Sequence, residues 1–254
     1  PLVILFSLWG ISTTLASGAD SAWAIDSLIQ KKREHLLDSY YTKGRSFFNA
    51  GMIVAGVLSA MVLSFYGNQT LWFLRVFLTV IIAVVLGLFA SEKFVRKDQI
   101  ASINVTLTNA KKALKIFKKS VVLKSLGFAS FFTFLAAYTA ESVAVQDFKL
   151  QAGISLEWWG VLFIIATTIG LFTPHIGMKI ANKFKKTKNY LALSFLFLGV
   201  IYLLAISSLN IFFVAILTIL FTVSSDFYIP VEEKLYNKHT VSSQRASVNS
   251  VKSM

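Results

Sequence analysis

Seven long runs of apolar residues constrain the fold of this chain more than any other feature. A bilayer hydrocarbon region about 30 Å thick requires roughly 20 apolar residues per helix, and each run is close to that length. None of the runs shows the two-residue alternation of membrane barrel strands. They therefore predict an all-α, polytopic membrane helical bundle. The runs lie at residues 2–22, 46–65, 70–90, 120–141, 157–177, 190–207 and 210–228.

Positive charge is distributed unevenly along the chain. A net charge of +13 would indicate nucleic-acid binding in many soluble proteins, but this chain is 56% hydrophobic. Moreover, 23 of its 25 Lys and Arg residues fall in alternate connections between the apolar runs. The positive-inside rule places those connections in the cytoplasm. We therefore expect a plasma-membrane protein that contacts lipid and no nucleic acid, with Pro1 outside and Met254 in the cytoplasm.

Several features limit the chemistry and the completeness of the chain. It has no Cys, which excludes disulfides and thiolate metal sites, and its three His residues form no H-x-x-x-H pair. We expect no cofactor, no metal site and no enzymatic activity. The chain starts with Pro1 inside an apolar run, and its last residues, RASVNSVKSM, are typical of a helix beginning. We therefore expect a bundle that is truncated at both ends.

Two distant parts of the chain resemble each other. The stretch SGADSAWAID at 17–26 aligns with VSSDFYIPVE at 223–232, and GRSFFNAG at 44–51 aligns with QRASVNSV at 244–251. Each copy has a helix that ends in two acids, a basic loop, and a helix that begins with Arg-x-x-x-Asn. Two repeats in the same membrane orientation are the plan of one large class of transporters. The alignment pairs Asp20 with Asp226, Asp26 with Glu232, Arg45 with Arg245 and Asn49 with Asn249.

Three stretches make a resemblance to one family specific. SGADSAWAIDSL resembles the end of the fourth helix of the major facilitator superfamily, and RASVNSVKSM resembles the start of the eleventh. GISLEWWGVLF at 153–163 is similar to the entry of the eighth helix. The resemblance implies that the chain holds helices four to ten and the beginning of helix eleven. It also implies a monomeric secondary active transporter that moves a small solute by alternating access.

The same resemblance divides the chain into three parts. Residues 1–90 correspond to the end of the N-terminal half with three spans. Residues 91–119 form a cytoplasmic linker, and residues 120–254 begin the C-terminal half with four spans and the start of a fifth. From Val105 the linker has a helical pattern, with Leu114 and Phe117 on its apolar face and many lysines elsewhere. This pattern predicts a basic amphipathic helix on the inner leaflet, while 91–104 remain open to a solvated loop.

Charged residues at the ends of the spans are candidates for an inner gate. A charge within a bilayer costs about 2.5–3.5 kcal/mol and needs a partner. In the family, an acid in the place of Asp20 pairs with basic loop residues and closes the cytoplasmic side. The loop GMKIANKFKK at 177–186 resembles the second-half loop motif, with Asn182 in place of its Asp. Ordinary interfacial charges are the alternative. The candidates are Asp20, Asp26, Arg45, Lys183, Asp226, Glu232 and Arg245.

A second set of candidates lies near the outer end of the run at 120–141. Glu141 follows Tyr138 by about one helical turn, and a partly desolvated carboxyl there would suit a proton carrier. Gln146 would be a cavity ligand. Alternatively, the span ends at this point and these residues meet water. No nucleotide-binding loop occurs, so we expect a proton or another ion to drive transport.

The direction of transport and the class of protein each have an alternative. Efflux is slightly favoured, although GMIVAGVLSA at 51–60 lacks the Pro of the signature that many exporters of the superfamily carry. An uptake symporter is the alternative within the family. A seven-helix receptor or photoreceptor is the alternative from another class, but the last complete span has no Lys that could hold retinal.

Overall fold

The computed structural model describes residues 21–89, 111–112, 114–139, 145–154, 156–205, 210–240, 242, 245 and 247–249. These residues form helices and connecting turns, and they contain no strand. The prediction of an all-α fold is therefore confirmed. In chain order the helices are α1 (residues 21–30), α2 (Leu37–Tyr66), α3 (Asn68–Phe89), α4 (residues 114–119), α5 (Val121–Thr139), α6 (Val145–Gln151), α7 (Leu156–Gly170), α8 (Thr173–Lys183), α9 (Thr187–Ala205) and α10 (Ile211–Lys238).

Most of the apolar runs correspond to described helices. Among the described residues, three stretches are long and apolar enough to cross a membrane, namely Glu34–Val62, Thr187–Leu204 and Ile211–Lys238, and the bent pair α7 and α8 can provide a fourth span. The predicted run at 2–22 lies almost entirely outside the described residues. The apolar parts of α3 and α5 are shorter. Helices α2 and α10 extend well beyond the predicted runs at 46–65 and 210–228. Hydropathy marks only the lipid-facing part of a helix, whereas backbone hydrogen bonds continue past the bilayer edge.

The predicted span at 157–177 is broken into α7 and α8, which meet at an angle of 43°. Pro174 explains the break because it lacks the N–H that would bond the carbonyl of Gly170 four residues earlier. The backbone instead tightens at this point, with Leu171 N bonded to Thr168 O and Phe172 N bonded to Ile169 O. The backbone carbonyls of Gly170 and Leu171 can therefore accept hydrogen bonds from other helices.

Helix α10 lies at the centre of the packing and contacts α2, α7, α8 and α9. The main core cluster joins α1, α5, α9 and α10 through side chains that are almost completely buried, such as Ile25, Leu123, Ile201 and Tyr236. Close approach of α8 to α10 requires Gly177, since a Cβ there would lie 2.5 Å from Phe227 O. By contrast, many apolar side chains of α3 and α5 are exposed, as expected where lipid is the solvent.

Candidate functional site

A buried ion pair joins α2 to α10. Asp226 of α10 is only 2% exposed. Arg45 of α2 donates from Nε to Asp226 Oδ1 at 2.5 Å, and Asn49, one turn later on α2, donates from Nδ2 to Oδ2 at 2.8 Å. A buried carboxylate is tolerated when it is paired and hydrogen-bonded, and here both oxygens have a donor. Helix α2 therefore supplies a donor to each oxygen of the buried Asp226 side chain.

The same face of α2 also holds the break between α7 and α8. Asn49 Nδ2 lies 2.7 Å from Gly170 O, the carbonyl that Pro174 leaves without a helical partner. Ser46 Oγ donates to Leu171 O at 2.7 Å. Side chains of neighbouring helices commonly satisfy backbone groups freed at such breaks. The ion pair and the broken span thus share one hydrogen-bond network.

Gly170 is required by the crowding of this network. A Cβ at this position would lie 2.5 Å from Asp226 Oδ2 and 2.6 Å from Asn49 Nδ2. Real Cβ atoms do not approach other heavy atoms so closely, so a side chain would displace the carboxylate or the amide. The broken span can approach the buried charge only because residue 170 has no side chain.

A second ion pair joins the buried Arg245 to the partly buried Asp26 of α1. Asn249, four residues after Arg245, donates from Nδ2 to Ser21 Oγ at 3.2 Å and to Asn237 Oδ1 at 3.3 Å. The Arg-x-x-x-Asn motif of the second repeat therefore contacts the acid-bearing helix of the first repeat. The first motif, with Arg45, contacts the acid-bearing helix of the second. This is a reciprocal exchange of charges between the two copies.

A third, more exposed cluster lies where the ends of three helices meet. Lys234 Nζ of α10 is 2.6 Å from Asp38 Oδ1 of α2. Asn182 of α8 bridges the pair, donating from Nδ2 to Asp38 Oδ2 at 3.0 Å and accepting from Lys234 Nζ at 3.3 Å. The amide of Asn182 thus lies between the Lys234 ammonium and the Asp38 carboxylate of the facing helix.

The remaining candidate residues are placed differently. Glu232 is buried and accepts a hydrogen bond from Ser130 Oγ of α5. Lys183 is exposed at the end of α8, and the ion pairs among the described residues do not include it. Gln146 is exposed on α6, and Tyr138 belongs to the last turn of α5. Asp20 and Glu141 lie outside the described residues.

Some members of the network were missed in the sequence. Ser46, Asp38 and Lys234 have no motif that marks them, because their partners come from helices far away in the chain. Asn49 was visible in the repeat, and the spacing of Gly170 and Pro174 predicts a free carbonyl. These signals indicate where partners are needed, but not which helix provides them.

The chain was also compared with models of known protein families. A model of the Major Facilitator Superfamily matches residues 2–251. The chain belongs to the major facilitator superfamily. No curated protein and no solved structure matches it. Membership of the major facilitator superfamily makes the chain an integral membrane transporter of small solutes, and it decides against the seven-helix receptor or photoreceptor.

All three ion pairs of the described residues connect a residue before position 90 with a residue after position 120. Charge pairs of this kind break and reform without covalent chemistry. Their net contribution to stability is small because desolvation offsets much of the attraction.

Proposed function

We propose that this major facilitator superfamily transporter works by alternating access and that the ion pairs form the gate that closes its cytoplasmic side. The single observation that supports the proposal is the reciprocal exchange, in which Arg45 contacts Asp226 and Arg245 contacts Asp26. Two equivalent contacts across one interface open together when the two sides rotate apart. The cytoplasmic assignment follows from the excess of Lys and Arg in the connections at this end.

The two sides of the gate correspond to the proposed halves of the chain. Residues 1–90 supply Asp26, Asp38 and Arg45, and residues 120–254 supply Asp226, Lys234 and Arg245. The substrate would bind near the midplane between these halves. Glu232 and Lys183 remain predicted gate residues on the basis of the repeat and the loop motif.

The repeat also assigns a partner to Arg245. Its Nε is buried and has no hydrogen-bond acceptor among the described residues. In the other copy, Nε of the equivalent Arg45 donates to Asp226. Asp20 aligns with Asp226 and would supply the matching carboxylate. Asp20→Asn in the full-length protein should therefore impair gating and leave membrane insertion intact, whereas unchanged transport would contradict this assignment.

A cross-linking experiment tests the gate directly. Residues 1–254 contain no Cys, so pairs of Cys can be introduced there without a background reaction. Positions 38 and 234 are suitable because Asp38 and Lys234 form the more exposed pair, and replacing them leaves the Arg45–Asp226 and Arg245–Asp26 pairs intact. A short bifunctional thiol reagent should then stop transport, and a cleavable reagent should restore it on reduction. The control joins Cys at Lys185 and Lys188, which are both exposed and belong to one proposed half. Transport that continues after complete cross-linking of 38 to 234 would refute the gate.

We further propose that a proton gradient drives transport and that efflux is the direction. Glu141 is the predicted proton carrier, with Tyr138 and Gln146 near it in sequence. The full-length protein in vesicles can be tested against a panel of compounds with a pH gradient of either sign. Glu141→Gln should abolish the pH dependence, whereas Asp147→Asn, a change at an exposed acid of α6, should preserve it. Uptake driven by an inward proton gradient would favour the symporter instead.

A further inference from the structure

A dense patch of positive charge lies at the corner between α4 and α5. The described residues 111–112 and 114–139 contain no Asp or Glu, and all of their lysines are exposed. The ion pairs among the described residues do not include any of these lysines. We call this group the lysine patch, and its members are Lys111, Lys112, Lys115, Lys118, Lys119 and Lys124.

The helix that carries most of the lysine patch, α4, packs against the bundle. Ile116 and Phe117 of α4 pack against the main core cluster. A Cβ at Gly127 of α5 would overlap the ring of Phe117, so the ring lies in the space left by the missing side chain. Ser120 joins the two helices, and its Oγ accepts a hydrogen bond from Leu123 N at the start of α5. The apolar side of α4 is therefore used by the protein, and the lysines face outward.

Exposed apolar surface begins directly beside the lysine patch. Lys124 is followed on the same face of α5 by Phe128, Phe131 and Leu135, at helical spacings of three and four residues. These three side chains are each more than half exposed. Ser130, less than two turns after Lys124 on α5, donates from Oγ to Glu232 in the last third of α10. The patch thus lies at the same end of the bundle as the ion pairs, where apolar surface gives way to charge.

We propose that the corner between α4 and α5 is a binding site for an anionic phospholipid. The phosphate headgroup contacts the lysine patch, and the acyl chains lie along Phe128, Phe131 and Leu135. Positive charge that borders an exposed apolar stripe complements a molecule with a negative head and apolar tails. A soluble phosphate would use the lysines but not the stripe. The site depends on the position of the chain in a bilayer and not on the proposed gate, so either proposal can fail alone.

Contacts through α5 connect this corner to α10. The Phe117 ring contacts Gly127, and Ser130, three residues later on α5, bonds Glu232 of α10. A headgroup that holds α4 in place also holds this part of α5. We therefore expect the lipid to stabilise the contact between α5 and α10.

The experiment uses the full-length protein in nanodiscs of phosphatidylcholine with increasing fractions of phosphatidylglycerol. An environment-sensitive fluorophore on Leu114→Cys, an exposed position of α4, reports binding at the corner. The signal should saturate with phosphatidylglycerol and shift to higher lipid fractions as salt is raised. Replacing Lys111, Lys115 and Lys118 with Gln should weaken binding about 100-fold, because each Lys near an anionic surface contributes about fivefold.

Matched variants separate this site from general attraction of cations to the membrane. The control replaces three exposed lysines with Gln, namely Lys185 and Lys186 of the connection between α8 and α9 and Lys188 in the first turn of α9. This variant loses the same charge and should keep the titration unchanged. Replacing the three patch lysines with Arg preserves the charge and should also keep it.

Three outcomes would overturn the proposal. One is a probe signal that is equal in phosphatidylcholine and phosphatidylglycerol. Another is an equal loss of binding in the control variant, which would indicate only general surface charge. The third is saturation of the site by soluble glycerol phosphate at similar concentrations, which would show that the acyl chains are not recognised.

Discussion

Asp226→Asn tests the proposed gate at its most buried charge. The change keeps the size of the side chain but removes the charge that faces Arg45, and it places either an amide oxygen or an amide N–H opposite the guanidinium. Removing one partner of a buried ion pair costs about 3–5 kcal/mol. Arg45 is 24% exposed at its side chain and regains some hydration, so we take the lower value. A loss of about 3 kcal/mol in the closed state corresponds to about a 150-fold shift toward the open state.

The shift can be measured by electron paramagnetic resonance in nanodiscs. Spin labels at Lys43 of α2 and Lys238 of α10, both exposed, report the distance between the two sides of the gate. Asp226→Asn should increase the population with the longer distance. The control is Asp147→Asn, the same chemical change at an exposed site on α6. It should leave the distance distribution as it is.

A double variant separates loss of the charge pair from damage to the fold. Arg45→Gln combined with Asp226→Asn leaves no uncompensated buried charge, so it should cost less than the sum of the two single changes. An unchanged distance distribution in Asp226→Asn would refute the gating role of this pair. Additive effects in the double variant would show that the two residues act independently.

Three further predictions concern the break between α7 and α8, the packing of α8 against α10, and the exposed cluster of Asp38, Asn182 and Lys234. Pro174→Ala restores an N–H to the broken span, so the bend of 43° should decrease and the bond from Asn49 to the freed carbonyl should weaken, as measured by spin-label distances across the break. Gly177→Ala should lower the thermal unfolding temperature because its Cβ would collide with backbone of α10, whereas Gly199→Ala, with open space around it, should not. Asp38→Asn breaks a half-exposed pair and should cost less than about 1 kcal/mol in a denaturation measurement.

The helical membrane fold was predictable because lipid imposes length and hydropathy on every span. The repeat also pointed to Arg45 and Arg245, and the structure pairs each of them with an acid of the other copy, Asp226 and Asp26 respectively. This was possible because the two aligned stretches carry their acids and their Arg-x-x-x-Asn motifs at the same spacing. A motif can thus identify the charged groups of a site before the contacts between helices are known.

The partners of these residues were less predictable. Asp26 aligns with Glu232, yet Asp26 pairs with Arg245 while Glu232 accepts from Ser130. Pairing depends on the rotation of each helix about its axis, and hydropathy leaves that rotation undetermined. The break at Gly170 shows the same limit, because Pro174 predicts a free carbonyl but not its donor on α2. The local sequence thus predicts which groups require a hydrogen bond or a counter-charge, whereas the packing of the helices determines which residue provides it.

An ion pair suits a gate better than an apolar contact, and this difference can be tested. When the gate opens, Arg45 and Asp226 gain hydration that offsets the lost attraction. An apolar pair would instead expose surface to water at about 25 cal/mol per Å². Arg45→Met with Asp226→Leu should therefore hold the gate closed, raise the unfolding temperature and slow transport, with a single short distance between spin labels at positions 43 and 238. Transport at the normal rate by this variant would show that opening does not depend on the hydration of these charges.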